Sequence, residues 1–348
     1  MTTADPDEPE APRERTRWVS ESWRRHRRTF WILHSLWALA TGTVVLWLAH
    51  ERYGFVPWVV GFLALTWLST LFFSRREAGA RGEGAAGFGH GVASYLTRVM
   101  YQETLFFLLP FYWYSTVVPS WNIALPLVMA GLAVLSCLDL VFDRWLRWSP
   151  VFGLVFFVSV AFAALNLLLP MLLSIGPALA TPAAAAIAVA SAVPLAVRGG
   201  VRSLGSRVGA AAAALAILAV ALRAPQLVPP VPLRLETVTF ARDLDRATLA
   251  TSGVVSGPVE TARLPNGLVV VANVFAPANV PARVALDWYR DGRFVRSSRD
   301  VRIVAHADGF RFWEALRPTG GPLPSGTYRV ILRTVDHRIF GTASIELR

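Results

Sequence analysis

The chain has 348 residues, 54% of them apolar, a mean hydropathy of +0.45 and a formal net charge of +11. Only 16% of the residues are charged, against roughly 25% in soluble domains, and they gather in the first 28 residues, in short loops and after residue 233. This excludes an ordinary soluble globular protein and predicts a polytopic membrane protein followed by a water-soluble part.

The positive charge is not a nucleic-acid signature. The chain has no lysine, as GC-rich coding favours, and about half of its arginines flank apolar runs, where membrane topology accounts for them. No nucleic-acid partner is expected. Cys137, the single cysteine, lies inside an apolar run. No intramolecular disulfide is possible, so the water-soluble part must rely on its own core. The N-terminus does not resemble a cleavable signal peptide: its polar leader and its apolar segment are both long.

Residues 1–28 form a polar arm, acidic and Pro-rich first, then basic with Trp18 and Trp23. It is expected to lie on the cytoplasmic side of the membrane. Apolar runs follow at about 29–49, 55–74, 99–118, 122–142, 151–173, 177–197 and 208–224. Runs of about 20 residues match a hydrocarbon core of ~30 Å at 1.5 Å per residue. The last two are alanine-rich, so they are weakly hydrophobic but able to pack closely. With seven spans and an inner N-terminus, sixteen arginines fall on the cytoplasmic side and only Arg52 in the outer loops between spans. An odd number of spans then puts the C-terminal part outside the cytoplasm. The glycine-rich loop at 75–98 lacks the context of a phosphate-binding motif and reads as a cytoplasmic loop.

The hairpin from Tyr101 to Arg147 carries the most informative local pattern. Glu103 opens its first run and Asp139 closes its second, at similar depth on the same side. Acids inside spans are functional candidates by default. Here Arg98, Arg144 and Arg147 are at hand as partners, so an acid–arginine cluster locking the hairpin is the leading reading. A proton or cation site is the second reading and catalytic carboxylates the third. Asn166 is expected to hydrogen-bond a neighbouring helix, His34 to be a packed polar residue, and Pro110, Pro126 and Pro170 to kink their helices.

The proline-rich stretch 225–232 reads as a stiff linker. Beyond it, apolar and polar residues alternate. Strands are predicted at Leu233–Phe240, Leu268–Phe275, Arg283–Tyr289, Phe294–Arg296, Val301–Ala305, Phe310–Leu316, Tyr328–Thr334 and Phe340–Leu347. Asp291-Gly292 is a strong hairpin turn. Seven or eight short strands imply an immunoglobulin-like antiparallel sandwich, with Trp288, Trp313, Tyr328, Val330 and Ile331 in or near its core. Arg290, Arg293, Arg296, Arg299 and Arg302 recur every third residue, which alternates faces in a strand, so a solvated surface is the first reading and contact with anionic headgroups or an acidic envelope polymer the second. His306/Asp308 and Asp336/His337 sit near turns, and nothing in the spacing makes them a metal site.

The runs QETLFFLLPFYWYST, WN and LDLVFDRW resemble a bacterial membrane family of unknown function, domain of unknown function 5924. The tail, from GLVVVANVFAP through VALDWYRDGRFV, DGFRFWEAL and LPSGTYRVILRTVDHRIFGTASIEL, is similar to a second domain of unknown function, 2914. Together they cover most of the chain after the arm. In many relatives a histidine stands two residues before the first tryptophan, where this chain has Leu286. Neither resemblance implies an activity or catalytic residues.

The fold class expected is therefore a membrane α-helical bundle of about seven spans (29–224), preceded by the arm (1–28), with the linker (225–232) leading to an extracytoplasmic all-β sandwich (233–348). No catalytic constellation, cofactor or metal site is read from the residues. The expected function is that of a non-enzymatic envelope protein in the bacterial inner membrane. Its sandwich binds a partner protein or glycan, and its helices anchor it in the bilayer. The alternatives are a transporter or accessory using Glu103 and Asp139, and a membrane enzyme acting on lipid-linked substrates.

Overall fold

The computed structural model describes residues 36, 37, 40, 61, 101–118, 120–198, 203–276, 280–304 and 309–348. Apart from those first four positions, the basic arm, the first two apolar runs with His34, the glycine-rich loop and Arg98 lie outside the described residues.

Among residues 101–223 the described helices are α1 (101–114), α2 (Ala124–Cys137), α3 (Asp139–Trp148), α4 (Pro150–Leu173), α5 (Pro177–Arg198) and α6 (Leu204–Arg223). Among the described residues, three stretches are long and apolar enough to cross a membrane: Val151–Leu173, Pro177–Pro194 and Leu204–Arg223. Local chemistry sets their ends. Ser149 caps α4 by accepting from the Phe152 amide at 3.3 Å, with Pro150 in the first turn, and Ser203 caps α6. Ser174 ends α4 in the left-handed region, at φ 53°.

The predicted run 122–142 does not form one helix. A 3₁₀ turn at Trp121–Ile123 leads into the 14-residue α2, and the helix breaks at Leu138, at φ −87° and ψ 70°. A new helix, α3, starts at Asp139. The physical reason lies in DLVFDRWLRW. Its charges recur at helical spacing and leave an apolar face, so this segment is amphipathic and does not continue the apolar α2. Phe142 on the packed face is buried and touches Phe152 and Phe156 edge-on, whereas Trp148 is exposed. The expected kink at Pro126 is likewise unneeded, because Pro126 stands in the first turn of α2, where its missing N–H loses no bond. Pro110 lies buried within α1, and Pro170 lies inside α4.

Nine strands follow among the described residues: β1 (Arg234–Leu244), β2 (Thr251–Val255), β3 (Leu268–Phe275), β4 (Arg283–Arg290), β5 (Arg293–Ser297), β6 (Val301–Arg302), β7 (Phe310–Leu316), β8 (Gly326–Thr334) and β9 (Ile339–Leu347). They make two antiparallel sheets, ordered β2-β1-β3-β7 and β5-β4-β8-β9, with β6 paired to β4. Inward residues of both sheets share one core, including Phe240, Val270, Leu286, Trp288, Phe312, Tyr328, Val330 and Phe340. The Tyr328 hydroxyl donates to the Pro324 carbonyl at 2.9 Å, tying the start of β8 to the preceding loop.

Two details depart from the sequence reading. The strand β2 was not predicted, because TSGVV is short and shows little alternation. Trp313 and Ile331 are not core residues. In β7 and β8 the alternation turns Phe312, Val330 and Leu332 inward, so Trp313 and Ile331 fall on outer faces. Trp313 instead carries the Arg246 guanidinium 5.4 Å from its ring centroid.

The turn at Asp291-Gly292 forms as expected, with φ of 49° and 78°, the paired positive values of a type I′ hairpin. Gly267, just before β3, has φ 98°, and a Cβ there would collide with the Leu316 carbonyl. Gly267→Ala should therefore destabilise the sandwich by about 1–3 kcal/mol, read as a lower thermal midpoint of the purified full chain. Asp291→Ala, at an exposed turn, should have the smaller effect.

Candidate functional site

The helices and the sandwich meet at one end of the helical body, and a buried polar junction forms there. Its centre is Arg338, in the turn between β8 and β9. Only 1% of this arginine is exposed. Its Nη1 donates to Thr181 Oγ1 in α5 at 2.6 Å, and its Nη2 donates to the Pro177 carbonyl at 2.9 Å. Asp336 supplies the counter-charge, with Oδ2 2.6 Å from Nη2. Burial pulls the guanidinium pKa below its usual value, and Asp336 opposes that shift. Two atoms, Arg338 Nε and Asp336 Oδ2, make no directed hydrogen bond.

The turn is built to hold this arginine. Thr334 Oγ1 donates to Asp336 Oδ1 and accepts from the Arg338 amide at 3.2 Å. His337 takes a left-handed φ of 62°, which closes the short connection.

The network continues into the helices. Thr181 Oγ1 has one proton and two acceptors in reach, Asn166 Oδ1 at 2.7 Å and the Pro177 carbonyl at 3.1 Å. Asn166 Nδ2 donates to the Tyr112 hydroxyl at 3.0 Å, and that hydroxyl donates to the Ala163 carbonyl at 2.9 Å. Tyr112, Asn166 and Thr181 are all buried. Asn166 thus joins neighbouring helices, as its lone polar character in an apolar run predicts. Bonds of this kind contribute about 0.6–2 kcal/mol each. Pro170 carries no N–H for the Asn166 carbonyl four residues earlier, which adds polarity to the same layer.

Three further joints surround the network. Asn122, fully buried in the turn between α1 and α2, donates to the Ile339 carbonyl at 2.5 Å and accepts from the Val117 amide at 3.4 Å. Arg234, at the start of β1, lies 5.8 Å from the ring of Tyr114 and 5.4 Å from that of Phe275. Gly176, between α4 and α5, approaches the backbone before β4 so closely that a Cβ would lie 2.8 Å from the Pro281 carbonyl. The proline-rich linker is part of the joint. Val228 and Val231 are buried among helix residues and Leu233 in the sandwich core, two residues apart in sequence at the nearest.

Glu103 is half-buried on α1, and Arg144 is exposed on α3. Asp139 occupies the first position of α3. Arg98 and the side chains of Asp139 and Arg147 lie outside the described residues. The five arginines of the sandwich do not form one patch. Arg290 and Arg293 face each other across the β4–β5 hairpin at the end away from the helices, whereas Arg302 pairs with Arg283 in register near the helical end. Arg296 is bound to Glu314, linking the edges of the two sheets, and Arg299 is exposed.

Arg338, Thr181 and Tyr112 were missed by sequence reasoning. Thr181 carried the same signal as Asn166, a polar residue in an apolar run. Arg338 carried none, since an arginine in a hairpin turn normally faces water. Chemically, the junction is an array of donors and acceptors that joins the sandwich to the helices.

Removing Arg338 alone leaves Asp336, Thr181 and the Pro177 carbonyl without it. Arg338→Ala should destabilise the full chain by about 3–5 kcal/mol, seen as a lower melting midpoint and faster proteolysis near residue 228. The pair Arg338→Ala with Asp336→Ala should recover part of that loss, because the stranded carboxylate is gone. Full additivity of the two single effects would refute the coupling.

No curated protein matches the chain. The model of a family of unknown function, DUF5924, matches residues 10–268. The match takes in every described helix, the linker and the hairpin β1–β2. It covers most of the chain, which therefore belongs to the family of unknown function DUF5924.

Proposed function

We propose that this is a non-enzymatic bacterial envelope protein whose helices anchor it in the inner membrane and hold a sandwich at a fixed attitude on the outer face. The sandwich then presents its free surfaces to a partner protein or glycan. The observation that carries this reading is the burial of Arg338 in the helical body, because a sandwich that merely hung from a linker would not embed a charge there.

Several features support the membrane placement. Exposed tryptophans occur at both ends of the body, Trp113 and Trp121 near the sandwich and Trp145 and Trp148 on α3. That is the distribution of interfacial aromatic belts. The amphipathic α3 then lies along the inner surface, in keeping with its exposed Arg144. The count of about seven spans, with the N-terminus inside, rests on the arginine asymmetry of the whole sequence.

The sandwich reads as immunoglobulin-like. Taking β1, β3, β4, β5, β7, β8 and β9 as A, B, C, C′, E, F and G reproduces that strand order, with a core tryptophan on C and a tyrosine corner on F. The similarity of the tail to domain of unknown function 2914 belongs to the same reading, and the DUF5924 match runs past the linker into β1 and β2, as expected of parts that work as one unit. The transporter reading needs Glu103 and Asp139 within one apolar layer. The break at Leu138 favours the anchor reading over it, since Asp139 then heads a surface helix.

Reporter fusions test the topology. A periplasm-active reporter should work after Arg348 and a cytoplasm-active one after Arg207. The opposite pattern after Arg348 would turn the sandwich inward and overturn the proposal. For the partner, a photo-crosslinker at exposed Phe294 on β5 in the full chain should capture a discrete envelope component. The same probe at buried Val330 should capture none. Equal labelling from both sites would count against a specific surface.

A further inference from the structure

We infer that Arg283 and Arg302, at the helical end of the sandwich, bind the phosphate of an anionic phospholipid in the leaflet that this end faces. This takes the helical body as membrane-embedded, as proposed above.

Register brings the two arginines together. Arg283 on β4 stands directly opposite Arg302 on β6, and the next pair, Val284 and Val301, turns to the other face, with Val284 buried in the core. The arginines therefore share the outer face of their sheet, and both are exposed. Like charges directly opposite each other destabilise a strand pair. Among the described residues neither arginine forms an ion pair, and Asp300, two residues before Arg302, forms none with either. Two guanidinium forks side by side, on Cα atoms about 5 Å apart, suit an anion with several acceptor oxygens, and phosphate is such an anion.

Depth selects a lipid as the source of that phosphate. The ladder continues below the pair, where the Ile303 amide donates to the Ala282 carbonyl at 2.9 Å. Val304 is thereby level with Pro281. Pro281 lies against Gly176, in the turn that ends the apolar stretch Val151–Leu173. Val304 is 64% exposed and stands at the edge of the apolar layer, as do exposed Leu172 and Leu173 at the end of α4. Arg283 is two residues further along β4 than Pro281, which is ~7 Å. A headgroup layer of ~5–8 Å lies on each side of a ~30 Å core, so the arginine pair falls within it. The valine below and the cations above follow the order of acyl chain and phosphate. Arg290 is seven residues beyond Arg283 on β4, ~23 Å further out, and its neighbour Arg293 is equally out of headgroup reach.

The test uses the full chain in nanodiscs of equimolar phosphatidylglycerol and phosphatidylethanolamine, with a photo-crosslinking residue at position 304 and adducts read by mass spectrometry. Nanodiscs offer the same lipids on both faces, so the outcome is independent of which way the sandwich faces in the cell, a question that the reporter fusions decide. Lipid adducts should form and should favour phosphatidylglycerol at least about fivefold, the size of one arginine's attraction to an anionic surface. Arg283→Gln with Arg302→Gln should bring the two lipids close to equal, whereas Arg293→Gln, at the far end, should keep the preference. Equal labelling with both arginines present, an unchanged preference in the double variant, or adducts with protein alone overturns the proposal. So does an efficient disulfide between Glu51→Cys and Arg302→Cys, which assigns the pair to the chain's own loop between the first two predicted spans. A chain that does not enter nanodiscs overturns the membrane placement and this inference with it.

Discussion

A guanidinium buried where helices and sandwich meet constrains everything around it. Removing a charge from water is expensive unless it is paired and hydrogen-bonded. Here Arg338 has Asp336 as counter-ion and the Thr181 hydroxyl and Pro177 carbonyl as acceptors. Those partners come from two different parts of the fold. The arginine is satisfied only when the β8–β9 turn sits in one position over α5, so its burial specifies orientation more than it adds stability. The surrounding joints at Asn122, Arg234, Gly176 and the linker valines then hold the same arrangement at separate points.

This arrangement decides which surfaces of the sandwich are available. In immunoglobulin variable domains, loops at one end of the sandwich hold the binding residues. In this chain the turn between β8 and β9, and the backbone at Pro281 before β4, are occupied by the chain's own helices. What remains open is the far end, with Arg290, Arg293 and the Tyr289–Phe294 ring pair at 5.7 Å, and the edge strand β5. The outer face of the β2-β1-β3-β7 sheet also remains, where Arg246 covers Trp313. Under the proposed role, those are the surfaces that the helices leave for a partner.

Much of the architecture was legible because it rests on periodicity. Alternation placed β3 and β7 at their observed limits, and Asp291-Gly292 marked its hairpin, since both depend on residues near in sequence. The apolar runs at 151–173 and 208–224 likewise read directly as helix. The break at Leu138 was less visible: an apolar stretch and an amphipathic one abut without glycine or proline between them. The candidate site was the least legible part. Asn166 could be singled out because a polar side chain in an apolar helix needs a partner, but its distant partners could not be named. Arg338 meets Thr181 across 157 positions, and nothing local to either residue encodes that meeting. Glu103 and Asp139 were singled out as acids inside apolar runs, at similar depth of one hairpin.

The closed chain from Tyr112 through Asn166 to Thr181 has a bearing on the order of assembly. Its three side chains satisfy one another and end on the Ala163 carbonyl, so the helices can associate without leaving these groups stranded. Arg338, near the end of the chain, is synthesised long after them. The β8–β9 turn thus finds its acceptor pair, Thr181 Oγ1 and the Pro177 carbonyl, on helices that precede it in the chain.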